Sequence, residues 1–459
     1  MFPRDFRLND LRSLVLSGQT REEEWRRIQL SRIQRLLDNH EEEIINALNK
    51  DLEKPPTEAF FELIALRQEL KLAKENLKKW IQPKRIKIPL ALNPGSASIQ
   101  HEPLGCVLII GPWNYPFSLT LQPLISALAA GNTAVLKPSE NSPNTSNLIS
   151  SLISEYFPKN IVRVIEGDGS IAEQLINLSF DHIFFTGGSQ IGKEVMKAAS
   201  QHLTPLTLEL GGKSPAIILP GADLAITAKR IIWGKGLNAG QTCVAPDHLL
   251  VDENLKLPLL DSMKNTIKSF YGEQPLKSKH LAKIINDYHF KRLKRLLEQA
   301  ADKKQIIFGG EMNAEQNRIS PTIIEIEDRN DPLMEEEIFG PLIPILKFKN
   351  LDKTLNEIRY QPKPLALYVF GGTANQQQEI IDRTSSGGIC INDVVMQAGI
   401  PELPFGGVGA SGMGQYHGYS GFKTFSHQKS ILKKPFWLDI KFRYPPYKLD
   451  ISFLRNLLS

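Results

Sequence analysis

Cysteine is scarce in this chain: Cys106, Cys243 and Cys390 are the only three in 459 residues, and they lie far apart. An odd, sparse set excludes a disulfide framework, and no pair has the spacing of a metal site, so no metal is expected and a reducing compartment suits the chain. Long apolar runs are also missing. None approaches the roughly 20 residues that a membrane-spanning helix needs, and the opening MFPRDFRLNDLRSLVLSG carries no apolar stretch that would read as a signal peptide. Nor does either charge dominate: 55 Lys and Arg stand against 50 Asp and Glu, interspersed along the chain, which argues against a nucleic-acid face. Internal repeats and low-complexity tracts are lacking too. What is present is 41% hydrophobic residues, enough for full cores, in a length that points to two or three domains. A soluble, cytoplasmic globular protein is expected.

Residues 20–80 read as helical. Trp25, Ile28, Ile33, Leu36 and Leu37 recur at helical spacing, with Thr20 and Glu23 as a candidate capping box, and a second amphipathic stretch runs from Glu58 to Trp80. Residues 84–104 carry short β-like pieces around the turn signal Asn93-Pro94-Gly95. The pattern then changes. Residues 105–111 (GCVLIIG) form a continuous apolar run, as a strand buried on both faces should. Strand-like runs follow at 133–137, 161–165, 182–185 and 206–210, separated by helical patterns. This alternation predicts α/β architecture with doubly wound parallel sheets. A second α/β segment starts near Lys213, and a glycine cluster at 405–414 precedes an aromatic, Pro-rich tail.

Two segments carry most of the chemistry. Cys243 stands in GQTCVAP (240–246) and Glu209 in LELGGKSP (208–215). A thiol can attack a carbonyl carbon, and a carboxylate in apolar surroundings can act as a general base. Most buried cysteines are merely small hydrophobes, and Cys106 and Cys390, inside apolar runs, read that way. Cys243 differs, because a Gly-bounded turn offers backbone N–H groups that lower a thiol pKa. Glu209 has a competing reading. Gly187, Gly188, Ser189, Gln190, Ile191 and Gly192 follow a strand and open a helix, as a dinucleotide-binding turn should, although Ser189 replaces the middle glycine of G-x-G-x-x-G. Glu209 would then be the acid that binds ribose. A solvent-facing strand-end glutamate is the plain alternative. Asn114, in GPWNYP directly after the first buried strand, can donate its amide to a developing oxyanion, or be an ordinary turn asparagine. Lys137 and Glu140, three apart after another strand, can grip ribose hydroxyls or simply belong to a solvated loop.

Taken together and in order, GPWNYP (111–116), KPSE (137–140), TGGSQIG (186–192), LELGGKSP (208–215), GQTCVAP (240–246), EIFGP (337–341) and PFGGVGASGMG (404–414) resemble the aldehyde dehydrogenase superfamily. The set spans nearly the whole chain. The nearer likeness is to the class 3 branch, which includes fatty aldehyde dehydrogenases, on the residues Trp233-Gly-Lys-Gly, Tyr416-His417-Gly418 and Phe425-Ser426-His427. The resemblance implies Cys243 as nucleophile, Glu209 as general base, and Asn114 with the Cys243 N–H as oxyanion hole. It implies Lys137 and Glu140 at the adenosine ribose, Glu337 and Phe339 at the nicotinamide ribose, and residues 187–192 over the diphosphate. Gly188 stands where relatives usually carry Ser, a departure at those phosphate contacts.

The implied domains are an NAD(P)-binding domain (1–83 and 105–210), a catalytic domain (211–395), and a β bridging or oligomerisation region with the tail (84–104 and 396–459). A homodimer is implied as well. The implied reaction oxidises an aldehyde to an acid through a cysteine thioester, with NAD, or NADP, as cofactor. A coenzyme-A-acylating dehydrogenase and a catalytically silent relative are the rivals. Tyr115, Trp233 and Leu237 are candidates to line an apolar tunnel for medium- or long-chain aldehydes, or else core residues. The apolar spacing in residues 449–459 suits packing, capping the tunnel, or peripheral membrane contact.

Overall fold

Helices occupy the first part of the chain: Leu8–Leu16, Glu23–Asn39, Glu41–Leu52 and Pro56–Ile81. The computed structural model describes residues 3–89, 92–439, 443–447, 451–452 and 455. The expected capping box at Thr20 and Glu23 does not form. Thr20 lies in the short 3-10 turn Gln19–Arg21, entered through Gly18 at φ 86°, and the helix starts at Glu23 with Glu22 as its cap. Buried Arg26 takes the Thr20 carbonyl at 3.0 Å and the Ala129 carbonyl at 3.1 Å. A buried guanidinium without such partners would be costly.

The chain then forms β1 (Lys84–Ile86) and β2 (Ser96–Pro103), an antiparallel pair. Five strands follow: β3 (Cys106–Ile110), β4 (Thr133–Lys137), β5 (Val162–Val164), β6 (His182–Thr186) and β7 (Leu206–Glu209). They are parallel, in the order β7-β6-β3-β4-β5. The alternation of β3 explains why its run is apolar throughout. Val107 and Ile109 pack with the long helices on one face, whereas Cys106, Leu108 and Ile110 enter a separate core on the other. Each such side chain contributes about 1.5–3 kcal/mol when fully buried.

The second sheet takes in β8 (Pro215–Ile218), β9 (His248–Asp252), β10 (Ile306–Phe308), the hairpin of β11 (Met312–Asn313) and β12 (Arg318–Ile319) beside it, β13 (Thr322–Glu325), β14 (Leu342–Phe348), β15 (Ala366–Phe370) and β16 (Gly388–Ile391). Its seven strands are ordered β10-β13-β14-β9-β8-β15-β16 around the largest core. Finally β17 (Gly412–Met413) returns to β7, and β18 (Ser426–Lys433) pairs with β2 along its whole length.

The α/β class is as expected, but the sheets are not wholly parallel. Edge strand β10 runs antiparallel to β13, and β17 runs antiparallel to β7. A short connection through a hairpin, as between β10 and β13, cannot make the crossover that a parallel pair requires. β17 also places part of the glycine cluster on the first sheet, not in the three-stranded β1-β2-β18 sheet. Among the described residues no helix is long and apolar enough to cross a membrane. Most of the tail, residues 448–450, 453–454 and 456–459, lies outside the described residues, as does the spacing read there.

Candidate functional site

The first sheet reverses its strand order between β3 and β6, and in open α/β sheets ligands bind at the carboxyl ends beside such a switch. Residues 112–114 after β3, 186–190 at the end of β6 and Glu209 at the end of β7 line a cavity of about 650 Å³. The second sheet faces the same cavity with the opposite ends of its strands. Pro215 opens β8 and His248 opens β9, and residues 334–337, 339 and 361–364 precede β14 and β15. The site is therefore built between two sheets, not at the end of one.

Cys243 reaches this cavity through a distorted turn. Asn238 and Ala239 lie in the left-handed region, at φ 51° and 52°, a conformation that costs roughly 1–3 kcal/mol per residue. Gly240 follows at φ 77°, and a Cβ there would stand 2.3 Å from the Gly340 carbonyl oxygen. Only glycine fits. The turn leaves Cys243 half-buried and lining the cavity. The expected lowering of its pKa is reversed. Burial pushes the thiol up to about 12, with repulsion from Glu337 and Glu209 adding to it, while the N–H groups of Cys243 and Val244 pull the other way. The turn does supply donors, but the depth of the site outweighs them.

Glu209 lines the same cavity, only 3% exposed. Neither carboxylate oxygen has a hydrogen-bond partner, and burial alone raises its pKa well above the carboxylate range. Asn114 is buried, and its amide Nδ2 donates to the Gln241 carbonyl at 3.0 Å, within the turn that carries Cys243. One of the two amide hydrogens is thereby fixed and the other remains for a ligand. Glu337 is pushed up to about 8, by burial and then by Asp247, against a hydrogen bond from the Gly212 N–H. Its carboxylate rests so close to Gly211 that a Cβ there would lie 1.8 Å from Oε2.

Gly187, Gly188, Ser189 and Gln190 line the cavity where the helix Ser189–Ser200 begins. Ile191 is 60% exposed, and Gly192 packs against Leu210. Phe339 lines the cavity edge-on to Trp113, ring centroids 5.4 Å apart. Lys137 and Glu140 are not on this lining. They pair with each other at 2.9 Å, the Lys137 ammonium also reaching the Pro138 carbonyl. Tyr115, Trp233 and Leu237 do not line it either. The Tyr115 hydroxyl is held 2.8 Å from Thr242 Oγ1, Leu237 is buried, and Trp233 packs on the second core.

Several further residues support the cavity. Arg292 donates to the carbonyls of Glu337 and Ile338, and His289 lies 5.0 Å from Trp113, ring to ring. Both sit on the helix Asp287–Asp302, whose charged pattern reads as an ordinary amphipathic surface. Lys213 ties the segment after β7 to the opposite wall, donating to Asp247 and to the carbonyls of Leu333 and Glu336.

The aldehyde dehydrogenase family model matches residues 19–431. Aldehyde dehydrogenase family 3 member H1 of Arabidopsis thaliana is 44% identical over 442 residues, 96% of this chain and 91% of that one. The 4,4'-diaponeurosporen-aldehyde dehydrogenase of Staphylococcus aureus (strain NCTC 8325 / PS 47) is 42% identical over 447 residues, 97% of each chain. The solved substrate-bound state of Staphylococcus aureus AldH superimposes with a TM-score of 0.94 at 42% identity, covering 98% of both chains. The chain belongs to the aldehyde dehydrogenase family, and its reaction is the NAD(P)-dependent oxidation of an aldehyde.

Proposed function

We propose that Cys243 is the nucleophile of this oxidation, Glu209 the base that completes it, and Asn114 with the Cys243 N–H the oxyanion site. The observation that carries the reading is the unpartnered Glu209 carboxylate, buried and lining one cavity with Cys243. A buried charge without partners is expensive, and such a group marks a functional site more often than a structural one.

The residues fit a dinucleotide. Amides at the start of the helix Ser189–Ser200 open onto the cavity beside Gly188, where a Cβ would meet nothing within 4 Å, which leaves room for a phosphate at a helix N-terminus. Residues 187–190 would hold the diphosphate, Glu337 and Phe339 the nicotinamide ribose, and Lys137 with Glu140 the adenosine ribose. When bound, the cofactor accepts the hydride. Everything else falls to the chain. Cys243 gives its proton to solvent water and its thiolate adds to the carbonyl carbon, while the free Asn114 amide hydrogen and the Cys243 N–H meet the developing oxyanion. After hydride loss the acyl group is a thioester on Cys243. Glu209 then takes a proton from water, whose oxygen attacks the thioester and releases the acid.

The retained Glu209 favours hydrolysis over transfer to coenzyme A, a transfer that needs no water-activating base. Asn114→Ala is expected to lower kcat by about 10²–10³ with the cofactor Kd little changed. An unchanged kcat would remove Asn114 from the oxyanion site.

Apolar aldehydes of medium or long chain are the proposed substrates. What supports this is an apolar segment behind the nucleophile turn. The Tyr368 hydroxyl donates to the Val244 carbonyl and accepts from the Val395 N–H and the Gln397 amide, and Met396, Ile400 and Leu403 are exposed nearby in sequence. kcat/KM is expected to rise with aldehyde chain length, with NAD preferred over NADP because Glu140 repels a 2′-phosphate. A flat or falling profile, or an NADP preference, would contradict these two points. A homodimer is supported by the open outer edge of β18 and by exposed Phe436 and Trp437 beyond it. The three free cysteines suit the cytoplasm.

A further inference from the structure

We propose that Lys54, Glu58 and Glu62 brace the oxyanion site and the nucleophile turn as positioning residues. Glu58 and Glu62 are spaced four apart in the first turns of the helix Pro56–Ile81, so they share one face, and Lys54 lies just ahead of its Pro55 cap. None lines the cavity, yet all three reach the segments that do.

Lys54 is fully buried with Glu62, its ammonium 2.7 Å from Glu62 Oε1. The same ammonium donates to the Asn114 carbonyl at 3.0 Å and lies 4.1 Å from the Tyr115 ring centroid. Glu62 uses its other oxygen to accept from the Ser118 N–H and hydroxyl, at 2.9 and 3.1 Å. The residues flanking the oxyanion amide are thus held from one buried ion pair. Glu58 accepts from the Asn238 N–H at 2.8 Å, at the first of the two left-handed residues. Asn238 in turn donates to the Asn114 carbonyl at 2.9 Å and to the Gln241 carbonyl at 3.3 Å. Gln241 is also the acceptor for the Asn114 amide, and Tyr115 reaches Thr242. The brace therefore converges on Gln241 and Thr242, the two residues before Cys243.

Burying an ion pair costs desolvation that its attraction does not always offset. Placed here, it fixes an amide and a strained turn whose placement controls the rate, where an error near 1 Å costs about a hundredfold. This inference rests on the roles proposed for Asn114 and Cys243.

The test compares Lys54→Met, Glu58→Ala, Glu58→Gln and Cys243→Ala in the full-length enzyme. The folded fraction of each variant is taken from the amplitude of its cooperative unfolding transition, and kcat is given per folded site, so that loss of folded protein cancels. The expected result is a fall of about 10- to 100-fold per site for Lys54→Met and Glu58→Ala, with the cofactor Kd within about twofold because residues 187–190 are untouched. Glu58→Gln, which keeps an acceptor for the Asn238 N–H, should recover most of what alanine loses. If Lys54→Met yields no folded protein, the Glu58 pair decides. Rates per site within threefold of the parent in the folded variants, with Cys243→Ala inactive, would overturn the brace alone. An active Cys243→Ala would overturn the site reading beneath it.

Discussion

Cys243→Ala is expected to lower aldehyde oxidation by at least about 10⁴-fold while leaving cofactor binding within a factor of about two. Removing the sulfur removes the covalent route, and at 1.36 kcal/mol per decade that loss is roughly 5 kcal/mol of barrier. No other thiol can stand in. Cys106 is buried inside β3, its thiol pushed up to about 12 by that burial, and Cys390 lies on β16, off the cavity lining. Cofactor affinity should survive because the turn at 187–190 comes from the first sheet, whereas Cys243 belongs to the second segment. Absorbance of the reduced cofactor reads the first quantity and titration calorimetry the second. Residual turnover within a hundredfold of the parent would exclude Cys243 as the nucleophile.

The second large effect separates the two halves of the reaction. Glu209→Gln keeps the shape of the side chain and removes its basicity. One equivalent of reduced cofactor per Cys243 should still form rapidly, followed by steady turnover about 10²–10⁴-fold below the parent. The parent should also show the signature of this base in its pH profile. Burial raises the Glu209 pKa well above the carboxylate range, and a base works only when deprotonated. Steady turnover should therefore increase as pH rises through that raised ionisation, and Glu209→Gln should flatten the limb. Stopped-flow traces across pH measure both. A parent profile already level from pH 5 upward would contradict the assignment.

The first sheet was readable because β3 and β4 are buried on both faces and so appear as unbroken apolar runs. The strand at 133–137 falls where its run does, and the others lie within a residue or two. That residues at the carboxyl ends of β3, β6 and β7 line the cavity follows from the same geometry. What remained hidden depends on partners distant in sequence. Lys54 meets Asn114 and Glu58 meets Asn238, 60 and 180 positions apart, and nothing local marks such pairs. The thiol shift of Cys243 runs opposite to what its turn suggests for a related reason. Turn donors are visible in GQTC, but the depth of the cavity and the carboxylates of Glu209 and Glu337 come from other segments. Thr20 is no cap because it lies inside the 3-10 turn Gln19–Arg21, and the helix is entered through Glu22. Tyr115 is committed to Thr242, away from the cavity, through a register that the alternation around GPWNYP does not reveal.

Position bears on the two readings of Glu209. It ends β7 with its carboxylate unpartnered and lines the same cavity as Cys243, which suits a base better than an anchored ribose acid. A ribose ligand would still leave that carboxylate paired when bound, so only the fate of the acyl group decides.

The most direct measurement is therefore mass spectrometry of Glu209→Gln, quenched in acid during the burst with an aldehyde and NAD. The thioester account predicts an acyl group on the peptide containing Cys243, the mass of the aldehyde less two hydrogens, on close to one equivalent of enzyme. An unmodified Cys243 peptide at full burst, or an acyl group carried by another residue, would contradict it.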